Sequence, residues 1–332
     1  MLLDRQLARR SVLALGCLAA SAAFPRLSFG RSWPDRTIKM IVPYPAGGAP
    51  DIIVRLLNAH LGPQLGVPLI VDNKPGGATI IAAVAAAQAE SDGYTLLIAS
   101  TSTLCLVPTL YGSRAHFDPI ADFSPISLVS RAPFFFMTSK ASPYRDLPTL
   151  IAAAKATPGK ISYGSNAIGG ASHVNMLLFQ KAAGIEMLHV PYKSMTTATN
   201  DLLGGQIDVV LGDLSTVTGL VEAKEINLLA AASAQRSPLA PSVPTAAEIS
   251  GVDVGEAGPW FGIFGPRNLP SDIVQRLNAS ISDFVNSPSA RQTYEKVAQI
   301  PLSSSPAELA NLVRDDLNRF AVTIREQKIA IE

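Results

Sequence analysis

The sequence predicts an α/β fold arranged in two lobes, because short apolar runs alternate with segments of helical periodicity in two successive units. Its 332 residues are about the length of two domains. Hydrophobic residues make up 48% of the chain and charged residues only 16%, so a sizeable core can form and disorder is excluded. The 27 basic and 26 acidic residues form no long block of one sign, which argues against binding nucleic acid through a basic patch.

The N-terminus has the pattern of a secretory signal peptide. Arg9 and Arg10 precede the apolar run 12–24, which is shorter than the roughly 20 residues that a membrane-spanning helix needs. Small residues ahead of Arg31 predict cleavage there, with an upstream alternative inside the apolar run. We expect residues 1–30 to be removed on export to the periplasm. The adjacent arginines resemble a twin-arginine signal and leave the export route open.

The first α/β unit follows the signal peptide directly. Its predicted elements are a strand at 38–43, a helix at 52–61, a strand at 69–72, a helix at 79–89 and a strand at 94–99. The first helix follows from apolar residues that recur at helical spacing, and the strands follow from uninterrupted apolar runs. Strands that are apolar throughout are typical of parallel sheets covered by helices on both faces, so we expect such a sheet here.

The same alternation continues through the rest of the chain. Strands are predicted at 126–129, 134–137, 161–164, 187–191, 207–211, 227–232 and 260–264. Helices are predicted at 147–156, 171–183, 195–203, 214–223, 271–286, 288–298 and 306–327. The proline-containing stretch 237–254 is typical of a segment that crosses between lobes. Periodicity alone leaves open whether the chain crosses once or twice.

Three loops rich in glycine and hydroxyl residues follow predicted strands, at 45–51, 100–103 and 162–173. Ligands of open α/β sheets bind at the carboxyl ends of the strands. Gly47 and Gly48 let the backbone approach a ligand closely, and the free amides of the helix that follows favour an anion. One such loop is consistent with an ordinary tight turn, but three of them in both units indicate a ligand site.

The motifs of common enzyme classes do not occur in the sequence. It contains no Gly-x-Gly-x-x-Gly or Gly-Lys-Ser/Thr nucleotide loop and no Gly-x-Ser-x-Gly nucleophile elbow. Ser172 and His173 are neighbours on one predicted helix and point about 100° apart, so they cannot act as a nucleophile and its base. Two cysteines and four histidines have no metal-binding spacing. We therefore expect a protein that is not an enzyme and has no cofactor and no metal.

Two side chains near the predicted ligand loops have competing interpretations. Asp213 follows a buried strand, and its position fits equally well a cap on the next helix and a contact with a ligand. His173 lies in the first turn of its predicted helix and fits either a structural role or a ligand contact. The sequence does not decide between the two roles for either residue.

Eight segments, in order along the chain, resemble the Bug-type substrate-binding proteins of tripartite tricarboxylate transporters. The segments are Trp33–Ile38, Val42–Asp51, Asp72–Gly77, Asp92–Leu96, Pro158–Ser165, His189–Lys193, Asp201–Asp208 and Arg236–Pro238. The resemblance implies a two-lobed periplasmic-binding-protein fold, type II-like, in which each lobe is a mostly parallel sheet flanked by helices and two crossing strands join the lobes. It also implies that lobe one combines 32–128 with 256–332 and that lobe two is 129–255.

The resemblance further implies that the ligand is a small organic carboxylate, captured by hinge closure and held by backbone amides, hydroxyls and water. Carried over by position, the ligand-binding residues are Tyr44, Ala46, Gly47, Gly48, Asp51, Ser100, Ser102, Thr103, Asn166, Ala167, Ala171, Ser172, His173 and Asp213. The expected partner is a membrane permease of the tripartite tricarboxylate type, and the protein is expected to be a monomer. The alternatives are a binding protein that serves a sensor kinase and a secreted hydrolase. Ala171, Ser194 and Leu214 depart from the usual family residues, which leaves the identity of the carboxylate open.

Overall fold

The computed structural model describes residues 33–329, so the predicted signal peptide at 1–30 lies outside the described residues. The strands of this range are β1 Ile38–Val42, β2 Leu69–Asn73, β3 Thr95–Ser100, β4 Phe123–Arg131, β5 Phe135–Ser139, β6 Ser162–Ser165, β7 Leu188–Pro191, β8 Val209–Gly212, β9 Ile226–Ala231, β10 Trp260–Pro266 and β11 Ile300–Pro301. They form two sheets. The first has the order β11-β4-β10-β3-β1-β2 and the second the order β7-β6-β8-β5-β9.

The α-helices of the same range connect these strands. They are α1 Ala49–Leu65, α2 Ile80–Ala87, α3 Val107–Tyr111, α4 Leu147–Ala156, α5 Ala171–Ala183, α6 Met195–Leu203, α7 Thr218–Glu222, α8 Ala246–Ser250, α9 Ser271–Val285, α10 Pro288–Lys296 and α11 Pro306–Glu326. Single 3₁₀ or π turns lie at Gly77–Thr79, Ser102–Leu106, Gly112–Ala115 and Leu214–Thr216. Across residues 33–329, no helix combines the length and the apolar character that crossing a membrane requires.

Helices cover both faces of the first sheet, as its apolar strands predicted. On one face, Leu57 of α1 and Leu277 of α9 are fully buried against β1 and β3. On the other face, Ala83 of α2 and Phe320 of α11 pack against Ile41 and its neighbours. Met40, Ile41 and Val42 therefore alternate between two buried cores, which explains why these successive residues of β1 are all apolar, whereas Lys39 is exposed.

The second sheet has the same layered construction. Phe136 of β5 packs on Phe179 of α5, with ring centroids 4.4 Å apart, in a core shared with α4. The next residue back, Phe135, faces the opposite core together with Ala198 and Leu202 of α6. Each sheet thus has its own pair of buried cores, and the α/β two-lobed architecture predicted from the sequence is confirmed.

Most strands of each sheet share one direction. β1 pairs in parallel with β2 and β3, and β6 pairs in parallel with β7 and β8. β10 and β11 in the first sheet, and β5 in the second, run opposite to the strands beside them. β5 is the strand by which the chain enters the second sheet and β10 is the strand by which it returns to the first. Their direction is therefore set by the crossing between sheets.

The chain crosses between the two sheets twice. It leaves the first sheet at Arg131, the end of β4, and enters the second at Phe135, the start of β5. The return path runs through 232–259 to β10. The two crossing segments are hydrogen-bonded to each other, since the amide of Ala132 donates to the carbonyl oxygen of Pro259 at 2.9 Å. Periodicity had left the number of crossings open.

The structure differs from the sequence prediction directly after β3. The segment 100–103 was predicted to be a loop, but β3 extends through Ser100, and a π turn beginning at Ser102 continues into α3. Leu104 and the three residues after it are all buried, so this helical segment shows no amphipathic pattern that would reveal it. β11 is only two residues long, too short for a strand pattern to register.

The two crossing segments pack so closely at Gly258 that we expect a larger residue there to lower stability. A Cβ placed there would lie 1.8 Å from the carbonyl oxygen of Ala132, a backbone atom that cannot rotate away. We expect Gly258→Ala to lower the free energy of unfolding by about 2 kcal/mol or more, as in overpacked cores. The control is Gly219→Ala in α7, where a Cβ meets nothing within 4 Å and helix propensity improves. Urea denaturation of both variants is the measurement, and equal stability would contradict the tight crossing.

Candidate ligand-binding site

A cleft of about 530 Å³ opens between the two sheets. Its polar side chains are Tyr44, Thr79, Ser100, Ser102, Asn166, Asp213, Ser215 and Gln299. Its large apolar side chains are Leu106, Val107, Leu110, Phe134, Ile168 and Phe261, and Tyr111 adds a second tyrosine ring. The remaining lining residues are Ala49, Pro50, Ala78, Ala132, Ala167, Gly169, Gly170, Ala171 and Pro259. Since the two sheets contribute both polar and apolar groups, the cleft has the size and the character of a small-molecule site.

Three helices begin at this cleft without a side-chain cap. α1 begins after Gly48 and α5 after Gly170, and neither glycine has a side chain that can accept from the first turn. α2 begins after Thr79, whose hydroxyl makes no capping bond. The first amides of a helix have no acceptor within the helix. In α2, however, the amide of Ile80 already donates to the carbonyl oxygen of Gly77 in the preceding 3₁₀ turn, and in α1 the second residue, Pro50, has no amide. The amides that remain available to a ligand are therefore those of Ala49 and Asp51 in α1 and those of the first turn of α5.

Helix starts elsewhere in the described range are mostly capped. Among the helices of at least eight residues, α4, α6, α10 and α11 have caps from Asp146, Ser194, Ser287 and Ser305. Apart from the three at the cleft, the uncapped one is α9, which begins after Pro270. Missing caps are therefore concentrated where the two lobes face each other. Uncapped helix N-termini carry partial positive charge and bind anions.

Asp51 fixes the shape of the first ligand loop from below. It is 1% exposed, and its carboxylate accepts from the Gly47 amide (2.9 Å), from Nε of Arg55 (2.9 Å) and from Nδ2 of Asn73 (3.0 Å). Burial alone would raise the pKa of Asp51, but the hydrogen bonds from Arg55, Gly47 and Asn73 outweigh it and lower the pKa. Asp51 is thus an ionised side chain that stabilises the loop, and both of its carboxylate oxygens already accept hydrogen bonds.

The two glycines of this loop have different conformations. Gly47 has a φ of +88°, in the region that favours glycine, whereas Gly48 has a φ of −74° that any residue can adopt. A Cβ at Gly48 would lie 3.7 Å from the nearest atom, which is ordinary contact. Ala46, Gly47 and Gly48 are all exposed beside the cleft. The sequence had assigned close backbone approach to both glycines, but only Gly47 requires glycine for its backbone conformation.

A hydroxyl cluster joins the first and second ligand segments. The phenol oxygen of Tyr44 lies 2.7 Å from Oγ of Ser100, which in turn lies 3.4 Å from Oγ1 of Thr103. Burial raises the pKa of Tyr44, although the hydrogen bonds to Ser100 and Thr103 act in the opposite direction. Thr103 is fully buried behind the other two. The cluster therefore presents neutral hydroxyls to the cleft.

The third ligand loop is braced by buried groups at the start of α5. Oγ of Ser172 donates to Oδ1 of Asn166 at 2.9 Å, and Nδ1 of His173 accepts from the Gly169 amide at 2.9 Å. His173 stacks on His189, with ring centroids 3.8 Å apart and planes 8° from parallel. Ser172 and His173 are buried, so they position the loop from behind.

The structure brings half of the sequence-predicted site residues onto the cleft surface. These are Tyr44, Ser100, Ser102, Asn166, Ala167, Ala171 and Asp213. The other half lie next to the cleft or beneath its loops, and are Ala46, Gly47, Gly48, Asp51, Thr103, Ser172 and His173. All fourteen belong to the loops or helix starts around one cleft. Within the second group, Asp51, Thr103, Ser172 and His173 are buried beneath the loops, whereas Ala46, Gly47 and Gly48 are exposed beside the cleft.

Sequence reasoning missed the lining residues that lie outside the three predicted loops, and two cases show why. Ala78 and Thr79 precede α2, in the Gly-Gly segment that was assigned only to a turn. Gln299 lies immediately before β11, and its Oε1 accepts from Ser130 at 3.1 Å, while no described residue pairs with its Nε2. The glycine pair at 76–77 was a usable signal for the first group. No local pattern marks Gln299, because it reaches the cleft through pairing of β11 with β4.

The charge of the cleft is asymmetric. Asp213 is the one charged side chain among the lining residues, and no lysine or arginine lines the described cleft. The partial positive charge therefore comes from helix starts and the full negative charge from one carboxylate. In residues 33–329 no group of three or more histidine, cysteine or acidic side chains is placed to hold a metal ion.

The burial of His173 in its stack with His189 leads us to predict that the stability of the protein depends on pH. Burial, with a smaller contribution from His189, lowers the pKa of His173 to about 4. An unfolded histidine has a pKa of about 6.5, so below that pH the unfolded chain binds a proton that the folded protein does not. Stability should therefore fall as the pH drops from about 6.5 to about 4, with His173 accounting for on the order of 3 kcal/mol.

Urea denaturation across this pH range tests the assignment. In His173→Asn the amide side chain can still accept from Gly169, but the titrating group is gone, so the fall in stability should be smaller than in wild type. His116→Asn is the control, because His116 is exposed and its left-handed backbone suits asparagine. Parallel pH profiles for wild type and His173→Asn would contradict the prediction.

Comparisons with known proteins agree with this geometry. Residues 53–329 match the family described as "Tripartite tricarboxylate transporter family receptor". Protein BugT of Bordetella pertussis is 31% identical over 317 residues, which cover 96% of this chain and 97% of BugT.

Two solved structures are similar over nearly their whole length. Rpa4515 of R. palustris, determined with adipate, is 31% identical with a TM-score of 0.76, covering 90% of this chain and 99% of that protein. MatC of Rhodopseudomonas palustris, with bound malate, is 26% identical with a TM-score of 0.71, covering 88% of this chain and 100% of MatC. The resemblance carried by the eight sequence segments is thus confirmed, and the chain belongs to the receptor family of tripartite tricarboxylate transporters, a family of periplasmic solute-binding proteins.

Proposed function

We propose that this protein captures a small organic carboxylate between its two lobes and delivers it to a membrane permease of the tripartite tricarboxylate type. The observation that carries the proposal is that α1 and α5 both begin at one cleft with uncapped amides, and that no basic side chain lines the described cleft. Such a cleft attracts an anion through backbone amides. In this proposal the bound anion is held and released unchanged.

Amides and hydroxyls are sufficient for useful affinity. A helix start contributes about 0.3–2 kcal/mol to binding an anion, and a hydrogen bond to a charged group contributes about 1.5–3 kcal/mol. Several such contacts from α1, α5 and the Tyr44 hydroxyl cluster reach the roughly 8 kcal/mol of a micromolar complex. In this proposal Ser102, Asn166, Ala167 and Ala171 complete the contacts to the ligand.

The buried members of the predicted site have a positioning role in this proposal. Asp51 and Thr103 hold the loops of lobe one, and Ser172 and His173 hold the loop of lobe two. The exposed segment 46–48 supplies backbone at the rim of the cleft. Loops fixed before binding lose little conformational freedom when the ligand arrives, which favours affinity.

Hinge closure is the proposed mode of capture. We assign 32–128 with 256–332 to one lobe and 129–255 to the other, so that the divisions fall close to the crossing segments after β4 and before β10. A ligand that contacts both lobes binds the closed arrangement more tightly and shifts the population toward it. The relatives determined with adipate and malate support a carboxylate as that ligand.

Export to the periplasm completes the proposal. The signal pattern at 1–30 would direct the chain across the inner membrane, by the general or the twin-arginine route, and be removed. A receptor there meets solutes that have passed the outer membrane and can present them to a permease. We propose that it acts as a monomer, since each chain contributes both lobes of one cleft.

The proposal predicts selective binding of a carboxylate with little dependence on salt. Hexanoate should bind the mature protein and hexanamide should not, because the neutral amide gains little from helix-end charge. Short contacts in a cleft are weakly screened, so affinity should change less than about threefold between low and moderate ionic strength. Calorimetry measures both, and small-angle scattering of the same samples should show a smaller radius of gyration with hexanoate. Steep salt dependence, or an unchanged scattering profile at saturation, would contradict the mechanism.

A second prediction concerns the start of α1. Gly48→Asp should place a carboxylate where it accepts from the free amide of Asp51, which stabilises the helix by up to about 1 kcal/mol. The same carboxylate competes with the ligand, so hexanoate affinity should fall at least tenfold. Gly48→Ala is the matched control, since its methyl group has room and cannot cap the helix. Equal affinities of the two variants would show that the start of α1 does not hold the anion.

A further inference from the structure

Asp213 occupies a particular position in the cleft. It directly follows β8, which lies beside β6 in parallel, so Asp213 and the loop leading to α5 emerge at the same edge of the sheet. Neighbouring strands are about 4.8 Å apart. A carboxylate held at the start of α5 therefore lies within the span of a short ligand from Asp213.

One carboxylate oxygen of Asp213 accepts hydrogen bonds within the protein, and the other does not. Oδ1 of Asp213 accepts from the backbone amide of Ser215 at 2.8 Å and from the Ser215 hydroxyl. No described residue donates a hydrogen bond to Oδ2, and no described basic side chain forms an ion pair with Asp213. The side chain is half-buried and borders the cleft. Its free oxygen is therefore available to a ligand.

The surroundings of Asp213 strengthen its electrostatic effect. Phe134 precedes Phe135, which pairs with Gly212 in the sheet, and it lines the cleft beside Asp213. Apolar neighbours and a closing cleft exclude water, and charges interact more strongly where water is excluded. A second carboxylate of a ligand placed here would meet an unneutralised negative charge. A group that donates hydrogen bonds would instead find an acceptor.

We propose that Asp213 determines specificity by selecting carboxylate ligands whose second polar group donates hydrogen bonds, most strongly an ammonium group, and by rejecting a second carboxylate. This inference rests on the proposed function, because it takes the helix starts as the site of the first carboxylate. It places the carboxylate of the ligand at the helix starts and the hydrogen-bond donor of the ligand at Asp213. The apolar walls formed by Leu106, Leu110 and Phe261 would cover the carbon chain between them.

A series of six-carbon compounds tests the inference. Hexanoate, adipate, 6-aminohexanoate and 2-aminohexanoate share one carboxylate and differ in the remaining polar group. Adipate sets the chain length, because a relative of 31% identity was determined with it. With the mature protein in calorimetry, the tighter of the two amino acids should bind at least tenfold more tightly than hexanoate or adipate.

Two substitutions assign the discrimination to Asp213. Asp213→Asn keeps an oxygen that can accept from Ser215 and removes the charge, so the preference for the amino acid over adipate should fall at least tenfold. Asp146→Asn is the matched control. Asp146 caps α4 through the amide of Thr149 at 2.8 Å and does not line the cleft, so its variant should retain the wild-type preference.

The outcomes separate this inference from the proposed function. Tightest binding of adipate to the wild type, or an unchanged preference in Asp213→Asn, would overturn the role of Asp213 while carboxylate capture stands. Equal loss of preference in Asp146→Asn would also overturn it, because a general charge effect would then explain the result. Failure of all four compounds to bind would contradict the proposed function, and this inference with it.

Discussion

Unsatisfied backbone amides at the cleft are the constraint on which the rest of the structure depends. α1 and α5 begin there with uncapped amides, although Asp146 and three serines cap other helices of similar length. Donors without an acceptor lower stability unless water or a ligand supplies one. The two sheets bring these starts together because each follows the carboxyl end of a strand. The result is a cleft whose partial positive charge comes from backbone amides, since neither lysine nor arginine is among its described lining residues.

Positioning of these amides accounts for the buried polar groups around them. Asp51 accepts from three donors beneath the first loop, and His173 holds the Gly169 amide beneath the third. Neither side chain is exposed enough to be a principal ligand contact. Their hydrogen bonds instead fix which way the loops present their backbone. The crossing segments, in contact at Ala132 and Pro259, keep the two sets of loops facing each other.

The sequence was sufficient to predict the alternation of strands and helices and the loops that the structure gathers around one cleft, since both follow from local patterns. Apolar strands and glycine-rich loops are local features, and the loops at 45–51 and 162–173 do border the cleft. Side-chain direction is a tertiary property, so Asp51 was predicted as a ligand contact but points beneath its own loop. Gln299 reaches the cleft only through strand pairing distant in sequence. The helical segment from Ser102 was missed because its residues are buried on nearly all sides.

The central claim is that helix-start amides hold the carboxylate, and backbone amide NMR on the labelled mature protein tests it most directly. On titration with hexanoate, the largest downfield shifts should occur at the amides of Ala49 and Ser172, in the first turns of α1 and α5. The amides of Thr149 and Thr197, in the first turns of α4 and α6, already donate to side-chain caps. Their chemical shifts should therefore barely change on titration. Saturating hexanoate that leaves the amides of Ala49 and Ser172 unshifted would contradict the account.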